Sequence, residues 1–242
     1  MQGLVLRVEM KAVEAADEPA PTGFVQVERD GQRAILLTPD EIDPERRYPL
    51  VTVLHGAGRQ DEMLAKAYRD EAEARQSLFL IPRSYHPTWD LIVGEGRRDL
   101  DFLEYAYDLV YRRYPVDAYR QALVGYSDGA SYGLSIVLSN PRIFRAVMAW
   151  AAGFVAFDFS AVDDGDPRPD LLLEYGTHDP VFPFEQVALP MRQHLEGAGY
   201  PVEFRVDQGG RHWPSGDFQA EALDWFFALG PNAPLAGAGP PQ

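Results

Sequence analysis

The chain has 242 residues, 46% of them hydrophobic and 24% charged, which is the composition of a globular protein with room for one large α/β domain. Its net charge of −15 argues against binding to nucleic acid or to an anionic membrane surface. Because the sequence contains no cysteine, disulfides, thiolate metal sites and a cysteine nucleophile are excluded.

The two ends of the chain differ in composition from the rest. Residues 1–21 predict an extended arm that ends in a linker rich in Ala, Glu and Pro. Charged residues follow Leu4 to Leu6 before the apolar core of a signal peptide can form, and no stretch approaches the length of a transmembrane helix. We therefore expect a cytoplasmic protein with one domain at 22–229 and a flexible tail, rich in Pro, Gly and Ala, at 230–242.

Between these ends, apolar runs alternate with segments of helical periodicity. Two strand-like segments flank Asp30 and Gly31, which is typical of a β-hairpin. Further strands are predicted at 50–54, 78–81, 118–124, 146–150, 171–175 and 202–206, and helices at 62–75, 100–114, 130–138, 184–196 and 218–229.

This alternation predicts an α/β fold with a mostly parallel sheet of about eight strands and helices on both faces. In such a sheet the strand-to-helix turns open at one edge. The loops that follow Leu54, Val124, Tyr175 and Val206 are therefore expected to line one crevice.

The segment from Gly125 to Gly129 has the sequence G-Y-S-D-G and fits G-x-S-x-G, the nucleophile elbow. In that motif a serine sits on a strained turn between a strand and a helix, and the glycines permit the tight backbone. A predicted strand precedes the segment and a predicted helix follows it, so Ser127 is the candidate nucleophile.

A serine hydroxyl needs a base to take its proton, and histidine suits that task because its pKa lies near neutral pH. His212 lies in a glycine-flanked loop after the last predicted strand and is the candidate base. Among the other histidines, we expect His55 to shape its own loop, His86 to contact substrate, His178 to diverge from its neighbour Asp179, and His194 to lie on a helix surface.

The base in turn needs a carboxylate that fixes its tautomer. Asp179 follows the penultimate predicted strand, and the resulting order of serine, aspartate and histidine is that of the α/β-hydrolases. An aspartate at this position is also suited to capping the following turn. The alternatives for the acid are in an acidic loop broken by proline: Asp158, Asp163, Asp164 and Asp166.

An oxyanion formed on the substrate would need backbone N–H donors. We predict the amide of Asp128, at a helix N-terminus, and that of Ala57, with Gly58 as the alternative. The Asp128 carboxylate suits the first turn of a helix, but it would place negative charge beside the oxyanion unless it points away.

Candidate walls of a substrate cleft are Trp89, Trp213, Phe154 and Val181, although Trp89 fits the core equally well. We find no phosphate-binding glycine motif and no cluster of metal ligands, so no cofactor or metal is predicted.

Several segments resemble known serine esterases. Leu54 to Gly58 and Gly125 to Ser131 are similar to the phospholipase/carboxylesterase group, which includes acyl-protein thioesterases. Asp99 to Leu103, Tyr114 to Asp117 and His212 to Pro214 are similar to the polyhydroxybutyrate depolymerase and feruloyl esterase group. The resemblance covers roughly Thr22 to Leu229.

The resemblance implies a serine esterase of the α/β-hydrolase superfamily that cleaves carboxylic esters through an acyl-enzyme. Because no long insertion between the predicted strands could form a lid, a large lipid pocket is not expected, and small or short-acyl esters are the predicted substrates. The alternatives are a thioesterase or lysophospholipase-type activity, and a binding protein without catalysis on a hydrolase fold. We predict a small-molecule ester as the partner, with no nucleic acid or membrane, and leave a homodimer open.

Overall fold

In a computed structural model that describes residues 4–10, 13, 19–94, 96–161, 165–214 and 217–230, the chain forms one eight-stranded sheet. Its strands are β1 Phe24–Arg29, β2 Gln32–Leu37, β3 Tyr48–Leu54, β4 Leu78–Pro82, β5 Val116–Tyr126, β6 Ala146–Trp150, β7 Asp170–Gly176 and β8 Val202–Asp207. The α-helices are α1 Asp61–Ala74, α2 Asp90–Val93, α3 Arg98–Arg113, α4 Asp128–Ser139, α5 Leu189–Gly197 and α6 Phe218–Ala228.

The strands lie in the order β1-β2-β4-β3-β5-β6-β7-β8. The hairpin of β1 and β2 adds antiparallel strands beside β4, and the six strands from β4 to β8 are parallel. Every residue of β3, β4 and β6 is buried, because helices cover both faces of the parallel part. The predicted α/β fold is confirmed.

The strand order places a topological switch point beside Ser127. From β3 the chain crosses to β4 on one side, and later returns to β5 on the other side of β3. The connections therefore diverge above the ends of β3 and β5, where Leu54 pairs with Gly125. Open α/β sheets bind ligands at such a switch point, and Ser127 follows β5 directly there.

Three predicted segments differ in detail from the structure. The helix expected at 184–196 begins with a π-helical turn, Phe184–Ala188, and α5 follows it. Pro190 accounts for this irregular start, because it has no N–H to donate to the preceding turn. The long loop predicted at 83–95 contains the short helix α2, and a 3₁₀ turn, Phe159–Ala161, lies in the acidic loop.

The described part of the predicted N-terminal arm packs against the protein. Leu6 is buried, and its N–H donates to Asn140 Oδ1 at 2.8 Å. Asn140 Nδ2 donates in turn to the Leu4 carbonyl at 2.8 Å. Residues 231–242, which hold most of the predicted tail, lie outside the described residues. Among the described helices, none combines the length and apolar character needed to cross a membrane.

Candidate active site

Ser127 lies between β5 and α4 with φ 53° and ψ −115°. A positive φ is costly for a residue with a side chain, and it persists only where the surroundings hold it. Here the Ser127 N–H donates to the Trp150 carbonyl at 2.9 Å, which fixes the turn to the neighbouring strand β6. The serine is therefore on the strained turn that its motif predicts.

Both motif glycines are required by close packing. A Cβ at Gly125 would overlap the Gly129 carbonyl and the backbone of Ala130. A Cβ at Gly129 would overlap the carbonyl oxygens of Leu54 and His55 at the end of β3. The glycines thus let α4 start directly against the ends of β3 and β5, which brings the serine close to the loop after β3.

The imidazole of His212 bridges the serine and an aspartate. Its Nε2 lies 2.8 Å from Ser127 Oγ, and its Nδ1 lies 2.8 Å from Asp179 Oδ2. The backbone of His212 is also held, because Trp150 Nε1 donates to its carbonyl at 2.7 Å. The structure therefore brings together the three side chains that the chain order predicted.

Asp179 combines the two tasks that the sequence left as alternatives. Its side chain has no exposed surface, and Oδ1 accepts the N–H groups of Val181 at 2.7 Å and Phe182 at 3.0 Å. The same carboxylate caps the turn with one oxygen and faces His212 with the other.

The alternative acids do not show this arrangement. Asp158 accepts hydrogen bonds from the N–H and hydroxyl of Ser160, and Asp166 pairs with Arg142. The other two alternatives, Asp163 and Asp164, lie outside the described residues.

The loop after β3 runs beside the nucleophile. A Cβ at Gly56 would lie 3.4 Å from the Cβ of Ser127. The Gly58 N–H is engaged by the Pro87 carbonyl at 2.7 Å. By contrast, neither the Ala57 amide nor the Asp128 amide donates to any residue in the described part of the chain. Of the two alternatives in this loop, Ala57 is therefore the one with a donor to offer to a ligand.

The Asp128 carboxylate has a partner that the sequence analysis missed. Its Oδ2 accepts the hydroxyl of Thr88 at 2.5 Å, so the acidic group is bound by the loop at 83–95. No local sequence signal marks this pair, because the two residues come from loops that only the tertiary fold brings together.

His55 shapes its loop, as predicted, and is fully buried. Nδ1 lies 2.6 Å from the Gly56 carbonyl, which can only accept, and Nε2 lies 3.1 Å from the Ser84 N–H, which can only donate. These partners select the tautomer that carries its proton on Nδ1. Burial lowers the pKa of His55, so the ring remains neutral near pH 7.

Trp89 lies in the interior, with 1% of its surface exposed. Its ring stacks between His55 and Tyr132, and Nε1 donates to the His55 carbonyl at 2.9 Å. This position matches the core alternative and differs from the predicted cleft wall. Trp89 therefore packs against the loop after β3 from the protein interior.

The other three predicted wall residues are exposed, namely Trp213 at 44%, Phe154 at 38% and Val181 at 54%. Trp213 lies against Tyr126, the neighbour of the nucleophile, at 5.8 Å between ring centroids. Phe182, which the sequence analysis did not select, packs edge-on against the His212 ring at 5.4 Å. Apolar side chains therefore surround the histidine loop and the turn after β7.

Within the described residues, no group of three or more histidine or acidic side chains is arranged to hold a metal ion. The array of hydroxyl, imidazole and carboxylate is suited to nucleophilic catalysis at a carbonyl carbon, which needs a base beside the nucleophile and a third group that orients the base.

No family model matches the sequence. The chain is 27% identical over 198 residues to the probable feruloyl esterase C of Aspergillus niger, an alignment that covers 78% of this chain and 71% of that protein. It is 26% identical over 163 residues to the feruloyl esterase C of Emericella nidulans, covering 64% of this chain and 58% of that one. The chain thus spans less than two thirds of the Emericella relative.

Among solved structures, a ferulic acid esterase from Anaeromyces mucronatus, in complex with ferulic acid, matches with a TM-score of 0.67. Its sequence is 16% identical, and the match covers 92% of this chain and 97% of that one. The structural match shows that the chain has the α/β-hydrolase fold. The esterase relatives support carboxylic ester hydrolysis.

Proposed function

We propose that this protein is a serine hydrolase that cleaves carboxylic esters through an acyl-enzyme on Ser127. The observation that carries the proposal is the continuous array in which His212 lies 2.8 Å from both Ser127 Oγ and Asp179 Oδ2. Ser127 Oγ attacks the ester carbonyl while its proton passes to His212 Nε2. The proton then moves to the leaving alcohol as the ester C–O bond breaks.

Water then hydrolyses the acyl-enzyme, with His212 again acting first as base and then as acid. His212 takes a proton from water, which attacks the acyl carbonyl, and returns that proton to Ser127 Oγ as the acid product leaves. Asp179 holds Nδ1–H of the imidazole and stabilises the imidazolium, since its own carboxylate is fixed by two backbone amides. The unengaged amides of Ala57 and Asp128 are suited to receive the oxyanion.

The proposed substrates are small or short-acyl esters. The exposed apolar side chains Phe154, Val181 and Trp213 offer contacts to a compact apolar group beside the reacting carbonyl. Thioesters are the nearest alternative, because the same nucleophile and oxyanion donors would serve them.

The proposal is tested with p-nitrophenyl acetate turnover and labelling by a fluorophosphonate. Ser127→Ala should lose labelling and should reduce turnover by several orders of magnitude, because no other residue replaces the nucleophile. Ser160→Ala, a serine of the acidic loop, is the matched control and should keep both. Near wild-type turnover in Ser127→Ala would contradict the assignment of the nucleophile.

The alternative, a binding protein without catalysis on the same fold, predicts a different result in these assays. It would show no turnover and no labelling of the wild-type protein with any ester in a panel of graded acyl length. The array around His212 favours the enzyme, since binding alone needs no base beside the serine.

A further inference from the structure

Helix α4 carries three serines one turn apart, and each hydroxyl donates to the carbonyl four residues before it. Ser131 and Ser135 are fully buried, whereas Ser139 is at the end of the helix. Serines in the middle of a helix lower its propensity to form. Those in α4 therefore cost helix stability, which other interactions of their hydroxyls must offset.

Two of these hydroxyls also accept a hydrogen bond from the loop that follows β6. Ser131 Oγ accepts the Gly153 N–H at 2.9 Å, and Ser135 Oγ accepts the Ala156 N–H at 2.9 Å. For Ser139 the described residues show only the bond within the helix, to the Ser135 carbonyl at 2.8 Å. The two buried serines therefore attach an irregular segment to α4 at two points.

The attached segment starts at the end of β6, beside Ser127. It leaves β6 after Trp150, whose carbonyl accepts the Ser127 N–H. Gly153 packs against the ring of Phe182, which itself contacts His212. Phe154 follows and is 38% exposed, although the backbone N–H groups of Gly153 and Ala156, before and after it, are each bound by a serine of α4.

We propose that Ser131 and Ser135 are positioning residues that raise substrate affinity by holding Phe154 in place at the mouth of the active site. The inference rests on the proposed ester hydrolysis. An exposed aromatic ring on a loose loop must be ordered when a ligand binds, and that ordering lowers affinity. Two hydrogen bonds to a rigid helix remove this cost before the ester arrives.

Ser135→Ala is the principal test, since Ser135 lies two turns away from the nucleophile. With p-nitrophenyl butyrate we expect KM to rise about three- to tenfold, the effect of losing the hydrogen bond from the Ala156 N–H, while kcat changes less than about twofold. Ser139→Ala is the matched control and should leave KM unchanged. Ser131→Ala should raise KM and also lower kcat, because its hydroxyl donates to the Ser127 carbonyl.

A double-mutant cycle with Phe154→Ala separates positioning from a general structural effect. If Ser135 acts through Phe154, Ser135→Ala should raise KM less than about twofold in the Phe154→Ala background. The inference would be overturned if Ser135→Ala raised KM equally with and without Phe154. It would also be overturned if Ser139→Ala raised KM as much as Ser135→Ala, or if Ser135→Ala left KM unchanged.

These outcomes are distinguishable from failure of the proposed function. If Ser127→Ala abolishes turnover while Ser135→Ala keeps the wild-type KM, the positioning inference is wrong and the ester hydrolase stands. A wild-type protein without turnover or fluorophosphonate labelling would remove both.

Discussion

The loops that carry His55 and His212 both lie at the carboxyl edge of the sheet, and in both the imidazole is bound at each nitrogen. His55 is bound by a backbone carbonyl and a backbone N–H, neither of which can exchange a proton. His212 is bound by a serine hydroxyl and a carboxylate, and its side chain is 23% exposed. The difference shows that the partners of a histidine decide whether it can move a proton.

Electrostatics adds to this contrast. Burial lowers the pKa of His55, with Asp61 raising it and Arg83 and Arg59 lowering it further, so the ring stays neutral near pH 7. A neutral ring between two fixed backbone groups is a structural bridge. His212 instead faces Asp179, which would stabilise an imidazolium during catalysis.

The largest expected difference between the two histidines is in ester turnover. We expect His212→Ala to reduce kcat for p-nitrophenyl acetate by roughly 10⁴-fold or more, because the serine loses its base. His55→Ala should retain far more turnover at a temperature where it is folded. Comparable losses of kcat in the two variants would contradict the different roles assigned to His55 and His212. Circular dichroism checks that both remain folded.

A smaller loss is expected from the acid. Asp179→Asn should lower kcat by roughly 10²- to 10⁴-fold, because an amide no longer holds the required tautomer of His212. Asp158→Asn is the control, since its carboxylate bonds only within its own loop to Ser160 among the described residues. Equal, small effects of the two substitutions on kcat would remove Asp179 from the mechanism.

Stability should show the opposite pattern from activity. His55→Ala removes a buried ring that stacks on Trp89 and leaves the Ser84 N–H without a partner. We expect the free energy of unfolding to fall by about 2–4 kcal/mol, measured by urea denaturation. His212→Ala, at a partly exposed position, should cost less, about 1–2 kcal/mol, because water can enter beside the Asp179 oxygen that loses its partner. A smaller loss for His55→Ala than for His212→Ala would contradict the structural role of His55.

The last prediction concerns Asp99, which holds the loop at 83–95 whose Ser84 N–H binds His55. Asp99 accepts the N–H groups of Tyr85 and Asp90, and burial raises its pKa to about 6, with Asp90 raising it and His86 lowering it. The folded state therefore binds more protons than the unfolded state between about pH 4 and pH 6. Stability from this group is present below about pH 4 and is lost as the pH rises through 6.

The measurement is urea denaturation of the wild type and Asp99→Asn across that pH range. The wild type should lose about 2–3 kcal/mol relative to Asp99→Asn as the pH rises from 4 to 7. A difference in unfolding free energy that stays constant with pH would show that Asp99 titrates normally in the folded protein.

Much of the fold was predictable because its signals are local. The apolar run at Ala146–Trp150 predicted β6 with both bounds, and Asp30 with Gly31 predicted the hairpin turn. The strand order was not predictable from these signals, since pairing between distant strands depends on the packing of the whole sheet. The π-helical turn before α5 was missed because apolar periodicity alone does not distinguish it from an α-helix.

The site also contains features that the sequence predicts and features that only tertiary packing determines. Ser127, Asp179 and His212 follow three different strands, so the common edge of a parallel sheet sufficed to predict their proximity. Trp89 fitted the core and the cleft equally well in sequence, and only its burial separated the two. The bond between Thr88 and Asp128 gives no sequence signal, because each residue is unremarkable in its own segment.

Trp150 has a further consequence. Its carbonyl accepts the Ser127 N–H and its indole N–H donates to the His212 carbonyl, so one residue fixes the backbone of both Ser127 and His212. Local opening of the histidine loop would break the indole bond and change the polarity around that ring. Trp150 is one of four tryptophans, so in a variant that keeps it as the only one its emission would report the assembly of Ser127 and His212 without any added label.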